Sequence, residues 1–190
     1  MFNDLSSPAS LVATRRSGKP RDMVGPGPDT AQLQRILFAA MRVPDHGKLA
    51  PWRFVVISGD RRDAFAAMLQ EAWRSEHGQD DRADVAAIDQ FAKQAPTLVI
   101  ILSQPVLDVK IPVWEQELSA GAACMTLLTA AHAEGFVAGW LTGWAAYSPH
   151  VVQSLGYPGA KIAGFVFIGR PGKQLEERPR PAEEAIISHW

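Results

Sequence analysis

The chain has 190 residues, of which 47% are hydrophobic and 21% charged, a balance that predicts one globular domain with a substantial core. The net charge of −1 argues against nucleic-acid binding and against a basic membrane-facing surface. The single cysteine, Cys124, excludes an internal disulfide and a cysteine metal cluster. The apolar runs are too short to span a bilayer and no secretory signal is visible, so we expect a cytoplasmic protein.

The expected domain covers residues 1–190 and begins with an N-terminal arm, residues 1–29. A short helix predicted in the arm ends before Arg15 and Arg16, which Ser17 follows. Two guanidinium groups beside a hydroxyl are suitable donors for a phosphate. Paired arginines at a helix end are more often simply solvated, so the residues alone leave both interpretations open.

A second helix, which we expect Asp29 or Thr30 to cap, is predicted over residues 30–42 and leads through a loop into a strand over residues 54–57. The helix is expected to end at residue 42, because the next residue precedes Pro44 and is therefore disfavoured in the α conformation. Two prolines and a glycine fix the path of the loop, which presents Arg42 and His46. An ordinary connection with solvated charges is the open alternative.

The rest of the chain predicts four more helices and three more strands, and its longest element is a helix over residues 113–134 that Gly135 ends. In chain order these elements are an amphipathic helix near residues 64–73, a polar surface excursion at 77–84, a helix from 85 to before Pro96, a strand at 97–102, the long helix, a strand at 136–141, a short helix that Ser148 caps and a strand at 161–169.

Small side chains fill the first half of the long helix, which at 1.5 Å per residue would be about 30 Å long. Such a surface lets another helix or a partner chain approach closely. Glu115 and Glu117 lie in its first turns, where we expect them to stabilise the helix dipole rather than to act in catalysis.

The sequence has no phosphate-loop lysine motif, no nucleophile elbow and no paired-histidine zinc helix. Its five histidines are scattered, so we predict no metal site and no catalytic side chain. A cofactor would then carry the chemistry of an enzyme built from this chain.

Several blocks in collinear order, from Leu11 to Gly169, resemble the flavin-dependent nitroreductase family, and in particular its short NAD(P)H nitroreductase branch. The blocks are Arg15-Arg16-Ser17, the segment AAMRVPDH at 39–46, Pro51-Trp52 before a strand, WEQELSAG at 114–121, and the pattern Gly135-Phe136, Gly139-Trp140, Gly143.

The resemblance implies an α+β fold with a central mixed, mainly antiparallel sheet flanked by helices, in an intertwined homodimer that binds FMN at the subunit interface. Matched by position, the implied FMN-binding residues are Arg15, Arg16, Ser17, Arg42, His46, Trp140, Leu141, Thr142 and Gly143.

The resemblance also implies that NADH or NADPH contacts the end of the long helix, at Ala130, Ala131, His132, Ala133, Glu134 and Gly135. A helix C-terminus is unfavourable for pyrophosphate, so His132 or an arginine of a partner chain would have to compensate. The C-terminal extension, residues 170–190, has no clear match to the basic pair that many relatives use on phosphate, and its candidates are Arg170, Arg178 and Arg180.

The implied activity is an NAD(P)H oxidoreductase in which FMN takes hydride at N5 and passes electrons to a nitroaromatic or quinone by a ping-pong mechanism. No side-chain acid is required, because the flavin N5 carries the chemistry. Enone reduction, dehalogenation or flavin breakdown on the same fold remain alternatives, as do a non-catalytic FMN-binding protein and a protein without cofactor.

Overall fold

A five-stranded antiparallel sheet forms the centre of the protein in a computed structural model that describes residues 2–79 and 81–190. β3 lies along one edge of β5, and β4 and then β1 pair with successive parts of the other edge, while β2 pairs with β3. The strands are β1 (Met23–Val24), β2 (Trp52–Ile57), β3 (Thr97–Ser103), β4 (Val137–Leu141) and β5 (Lys161–Pro171).

The predicted α+β class and mainly antiparallel sheet are confirmed. The parallel component that a mixed sheet requires is absent from the pairings of the described residues, all of which are antiparallel. The two-residue strand β1 was not predicted, because pairing with Arg170 and Pro171 defines it rather than any local sequence pattern.

Helices cover both faces of the sheet, and the two-residue period of the central strand divides the core between them. Leu98, Ile100 and Leu102 of β3 face one core cluster, whereas Val99 and Ile101 face the other. The first cluster is covered by α3 (Arg62–His77), α4 (Arg82–Lys93), α6 (Trp144–Tyr147) and α7 (Pro149–Ser154), and the second by α2 (Thr30–Ala40) and α5 (Val113–Ala133).

The helix ends follow the predicted capping residues. Asp29 and Gln32 form a capping box on α2, and Ser148 accepts a hydrogen bond from the Val151 amide at the start of α7. Gly135 follows α5 with φ of +82°, a left-handed conformation that favours glycine. The N-terminal helix of the arm, α1 (Pro8–Thr14), ends directly before Arg15 as predicted.

The predicted polar excursion at 77–84 is shorter than expected, because α3 continues to His77 and α4 begins at Arg82; its residue 80 lies outside the described part of the chain. No helix among the described residues has both the length and the apolar character needed to cross a membrane.

Candidate functional site

A cleft of about 820 Å³ lies between the N-terminal arm and the C-terminal extension, with β4 and one side of α5 behind it. This volume is in the range of small-molecule sites. Its walls include residues 15–23 of the arm, Met125 and Leu128 of α5, Trp140 and Leu141 of β4, and residues 173–180 of the extension.

The arm is held against β4 by a close approach of two backbones. The Gly18 amide donates a hydrogen bond of 3.2 Å to the Ala138 carbonyl. A Cβ atom at Gly139 would lie 2.6 Å from the Gly18 carbonyl oxygen, so a side chain there would push the arm away. The absence of a side chain at Gly139 therefore allows Arg15, Arg16 and Ser17 to line the cleft.

Arg15 is a partly buried cation without an ion pair to any carboxylate of the described residues. Burial is the largest cause that lowers the pKa of the Arg15 guanidinium, and the charges of Arg180 and Arg16 lower it further. Its Nη1 donates to Ser17 Oγ at 3.3 Å. The guanidinium groups of Arg15, Arg16 and Arg180 are close enough to interact, and that of Arg15 has no carboxylate partner among the described residues. A bound anion would therefore stabilise this group of cations.

Arg16, by contrast, is engaged within the protein. Its guanidinium pairs with the Glu177 carboxylate, and its Nη1 donates to the carbonyls of Ala13 at 3.1 Å and Arg15 at 2.9 Å. The hydrogen bond from Arg16 lowers the pKa of Glu177. Arg16 therefore ties the C-terminal extension over the cleft.

The loop between α2 and β2 presents the second predicted basic group. His46 Nδ1 lies 2.8 Å from Glu115 Oε2, in the first turn of α5. Ser119 Oγ donates to the Pro44 carbonyl at 2.6 Å and accepts from Trp52 Nε1 at 3.2 Å. These bonds fix the loop to α5 and leave Arg42 and His46 exposed.

The structure therefore divides the predicted FMN-binding residues between two places. The Arg16 carbonyl oxygen lies 3.0 Å from His132 Nε2 in the last turn of α5, whereas His46 contacts Glu115 in its first turn. These two contact points are about 25 Å apart along the helix at 1.5 Å per residue. Trp140 and Leu141 line the same cleft as Arg15, Arg16 and Ser17. Arg42 and His46 do not line this cleft.

Thr142 and Gly143, at the end of β4, line a different cavity. It has a volume of about 170 Å³, is mostly apolar, and lies against α3 and α4 rather than in the main cleft. The predicted segment 140–143 is thus shared between two cavities.

The predicted contact of the end of α5 with a nicotinamide donor falls on a segment that is partly buried inside the protein. Ala131 and His132 are fully buried, and both ring nitrogens of His132 face carbonyl oxygens, of Leu128 at 2.7 Å and of Arg16 at 3.0 Å. Burial lowers the pKa of His132. The buried position of His132 therefore argues against its offering a compensating charge to pyrophosphate, and the predicted NAD(P)H contact at residues 130–135 stays a prediction.

The last two residues of the same segment are bonded to arginines of the protein. Glu134 pairs with Arg35 at 2.7 Å, and the Gly135 carbonyl accepts a 2.6 Å hydrogen bond from Arg170 Nη1. Arg170 also lies over the Phe136 ring, 4.3 Å from its centroid. Arg170 therefore stabilises the end of α5 and is no phosphate ligand in the cleft.

Sequence reasoning missed the glycines that make room around the cleft. Gly139 and Gly164 lie inside the strands predicted at 136–141 and 161–169, and a glycine inside a strand is itself a signal of close approach by another group. Across the described ranges 2–79 and 81–190, no three His, Cys, Asp or Glu side chains are grouped so as to hold a metal ion.

Comparison with known proteins gives consistent matches. The model of the family described as "Nitroreductase family" matches residues 12–170. The chain is 38% identical over 162 residues to the Escherichia coli K12 protein named "Putative NAD(P)H nitroreductase YdjA", covering 85% of this chain and 86% of that one.

Two solved structures have the same fold. The nitroreductase-like family protein from Bacillus cereus has a TM-score of 0.80 at 19% identity, with 97% of this chain and 96% of that chain covered. A mutant of the FMN and NADPH-dependent nitroreductase NfnB, from Sphigopyxis sp. strain HMH, has a TM-score of 0.72 at 20% identity, with 96% and 98% covered.

Proposed function

The chain belongs to the nitroreductase family, and we propose that it is an FMN-dependent NAD(P)H oxidoreductase. The observation that carries the proposal is the cleft of about 820 Å³ in which Arg15 lacks a counter-charge. A phosphate is the anion that such a guanidinium and the neighbouring Ser17 hydroxyl would bind. The FMN dependence in the name of NfnB supports this choice of cofactor, and the name of the E. coli relative supports NAD(P)H as the hydride donor.

The chemistry of the cleft fits FMN in two respects. Arg15, Arg178 and Arg180 give it basic residues beside Ser17, suited to the phosphate. Met125, Leu128 and Trp140 offer the apolar and aromatic surface that a flavin ring requires.

When bound, FMN would accept hydride at N5 from NAD(P)H and pass electrons to an electron-poor acceptor such as a nitroaromatic or quinone. The contribution of the protein would be position and charge. A reduced flavin ring gains negative charge, and the exposed Arg42 guanidinium and the N–H donor of the His46 ring would stabilise that charge if they lay beside the ring.

Arg42 and His46 can reach the same FMN as Arg15 only if they come from a second copy of the chain. Within one chain, the contact of His46 with Glu115 and the contact of the Arg16 carbonyl with His132 are about 25 Å apart along α5, and we infer that one FMN molecule does not contact both groups of the same chain. A two-fold dimer would place the loop of one subunit over the cleft of the other. Exposed apolar side chains on α5, namely Trp114, Leu118 and Met125, supply a surface for such an assembly.

The absorption spectrum of purified protein, with and without added FMN, tests the cofactor. Anaerobic mixing with NADPH or NADH then tests turnover, because reduction bleaches the visible flavin band. Bleaching followed by reoxidation with a nitroaromatic or quinone supports the enzyme, and an unchanged spectrum indicates a flavin-binding protein. A colourless protein that ignores FMN would refute both. Parallel lines in double-reciprocal plots are expected for the ping-pong order.

Mixing two variants tests whether each site is built from two subunits. Arg15→Ala and Arg42→Ala chains should each bind FMN weakly alone. In a mixed dimer, one site would carry both substitutions and the other neither, so near wild-type affinity should return at one FMN per dimer. If each site lay within one chain, every site in the mixture would remain damaged and no affinity would return.

A further inference from the structure

Gly164 has an extended backbone, so its conformation does not explain why glycine occupies this position. It lies inside β5, where a glycine weakens a strand because it adds chain entropy and packs no side chain. It has no φ in the left-handed region, which would favour glycine. Gly164 borders a β-bulge, because Ile101 pairs with Gly164 whereas Leu102 pairs with Ile162, and a bulge is one reason for a glycine in a strand. The space around Gly164 gives a second reason.

The indole of Trp140 fills that space. A Cβ atom at Gly164 would lie 2.0 Å from Trp140 Nε1 and 2.4 Å from its Cδ1. The same Nε1 donates a 3.0 Å hydrogen bond to the carbonyl of Ala163, the residue before Gly164. The indole therefore packs directly against the glycine, and this bond helps to fix its position.

Trp140 is also a wall of the cleft and remains 38% exposed. Ordinary contact of at least 3.4 Å with a Cβ atom would require the indole to move by about 1.4 Å or to rotate away. Either change breaks the bond to the Ala163 carbonyl. It also alters the shape of the cleft that Trp140 lines together with Arg15, Arg16 and Ser17.

We propose that Gly164 is a positioning residue of the flavin cleft, which it shapes by giving the Trp140 indole room to lie against β5. This inference rests on the proposed function, because it takes the ligand of the cleft to be FMN. An aromatic ring laid over a strand glycine also stabilises a sheet, and that purely structural role is the alternative.

A double-mutant cycle on FMN affinity separates the two roles. Gly164→Ala should raise the Kd for FMN about tenfold and shift the visible spectrum of the bound flavin. In a Trp140→Leu background, which removes the overlapping indole atoms, the same change should raise the Kd no more than about twofold. An additive cycle, or a Gly164→Ala protein with wild-type affinity and spectrum, would overturn the inference.

Gly27→Ala is the matched control. Its Cβ atom would meet Thr97 Oγ1 at 2.6 Å and Pro96 Cβ at 3.0 Å, a smaller overlap that lies outside the cleft, so it should lower thermal stability and leave FMN affinity unchanged. If Gly164→Ala fails to fold, the inference is supported by a double variant with Trp140→Leu that folds and has a Kd for FMN within about twofold of that of Trp140→Leu alone, and a larger rise in Kd would overturn it. A double variant that also fails to fold would overturn it. Absence of FMN binding by the wild type would instead refute the proposed function.

Discussion

The hydroxyl of Ser119 connects α5 to the loop that presents Arg42 and His46, and its removal should loosen that loop. Ser119 is 6% exposed, donates to the Pro44 carbonyl at 2.6 Å and accepts from Trp52 Nε1 at 3.2 Å. Ser119→Ala would leave the Pro44 carbonyl and the Trp52 N–H without these bonds. Each such bond contributes about 1 kcal/mol net, so the expected loss is about 2 kcal/mol.

Thermal unfolding of the FMN-free protein at one fixed protein concentration measures this loss. For a chain of this length, about 2 kcal/mol corresponds to a fall in Tm of about 4–8 °C. Thr129→Ala is the control on the same helix, because among the described residues the Thr129 hydroxyl bonds only to the Met125 carbonyl of its own helix, at 3.0 Å. Its effect should be within about 0.5 kcal/mol.

Trp52→Phe completes the test by removing the N–H donor and keeping an aromatic ring. Its effect should be smaller in the Ser119→Ala background than in the wild type, since the two side chains share one bond. Equal Tm values for the Ser119→Ala and Thr129→Ala proteins would refute the reasoning, as would strictly additive effects of the two changes. Ser119→Ala should also weaken FMN binding.

Three further outcomes are expected. Arg15→Ala should raise the Kd for FMN at least about tenfold in a fluorescence titration, because it removes the cation without a counter-charge. Glu177→Gln should tighten FMN binding severalfold at low salt, because the carboxylate of Glu177 would otherwise compete with the phosphate for Arg16. Glu176, which pairs with Lys19, is the control, and Glu176→Gln should leave the affinity unchanged. Weaker binding by Glu177→Gln would contradict this reasoning and would mean that Glu177 orients Arg16. Burial raises the pKa of Cys124 to about 12, so a thiol reagent at pH 8 should label only unfolded protein. Since the unfolded thiol ionises near pH 9, its burial should also lower stability as pH rises from about 9 towards 12.

The order of the main elements was predictable because it is written in local patterns. The apolar run at 97–102 became β3, and Gly135 ended α5 through its left-handed conformation. Capping by Asp29 and Ser148 followed from side-chain chemistry within three residues. Each of these features depends on neighbours close in sequence.

The site was less predictable because its contacts join distant parts of the chain. The pair between Arg16 and Glu177 spans 161 residues and has no local signal. The burial of His132 depends on the arm that crosses α5, which no helical pattern reveals. The resemblance grouped Arg16 with His46, and only the fold places their contacts with α5 at opposite ends of that helix.

The length of α5 has a genetic consequence. In the proposed dimer, every chain lends its arm to one site and its loop to the other. A chain with either Arg15→Ala or Arg42→Ala would leave a wild-type partner one working site. A chain with both changes would damage both sites of a dimer formed with a wild-type chain. In co-expression with the wild type, the double variant should therefore reduce FMN binding by mixed dimers at both sites, and each single variant at one site only.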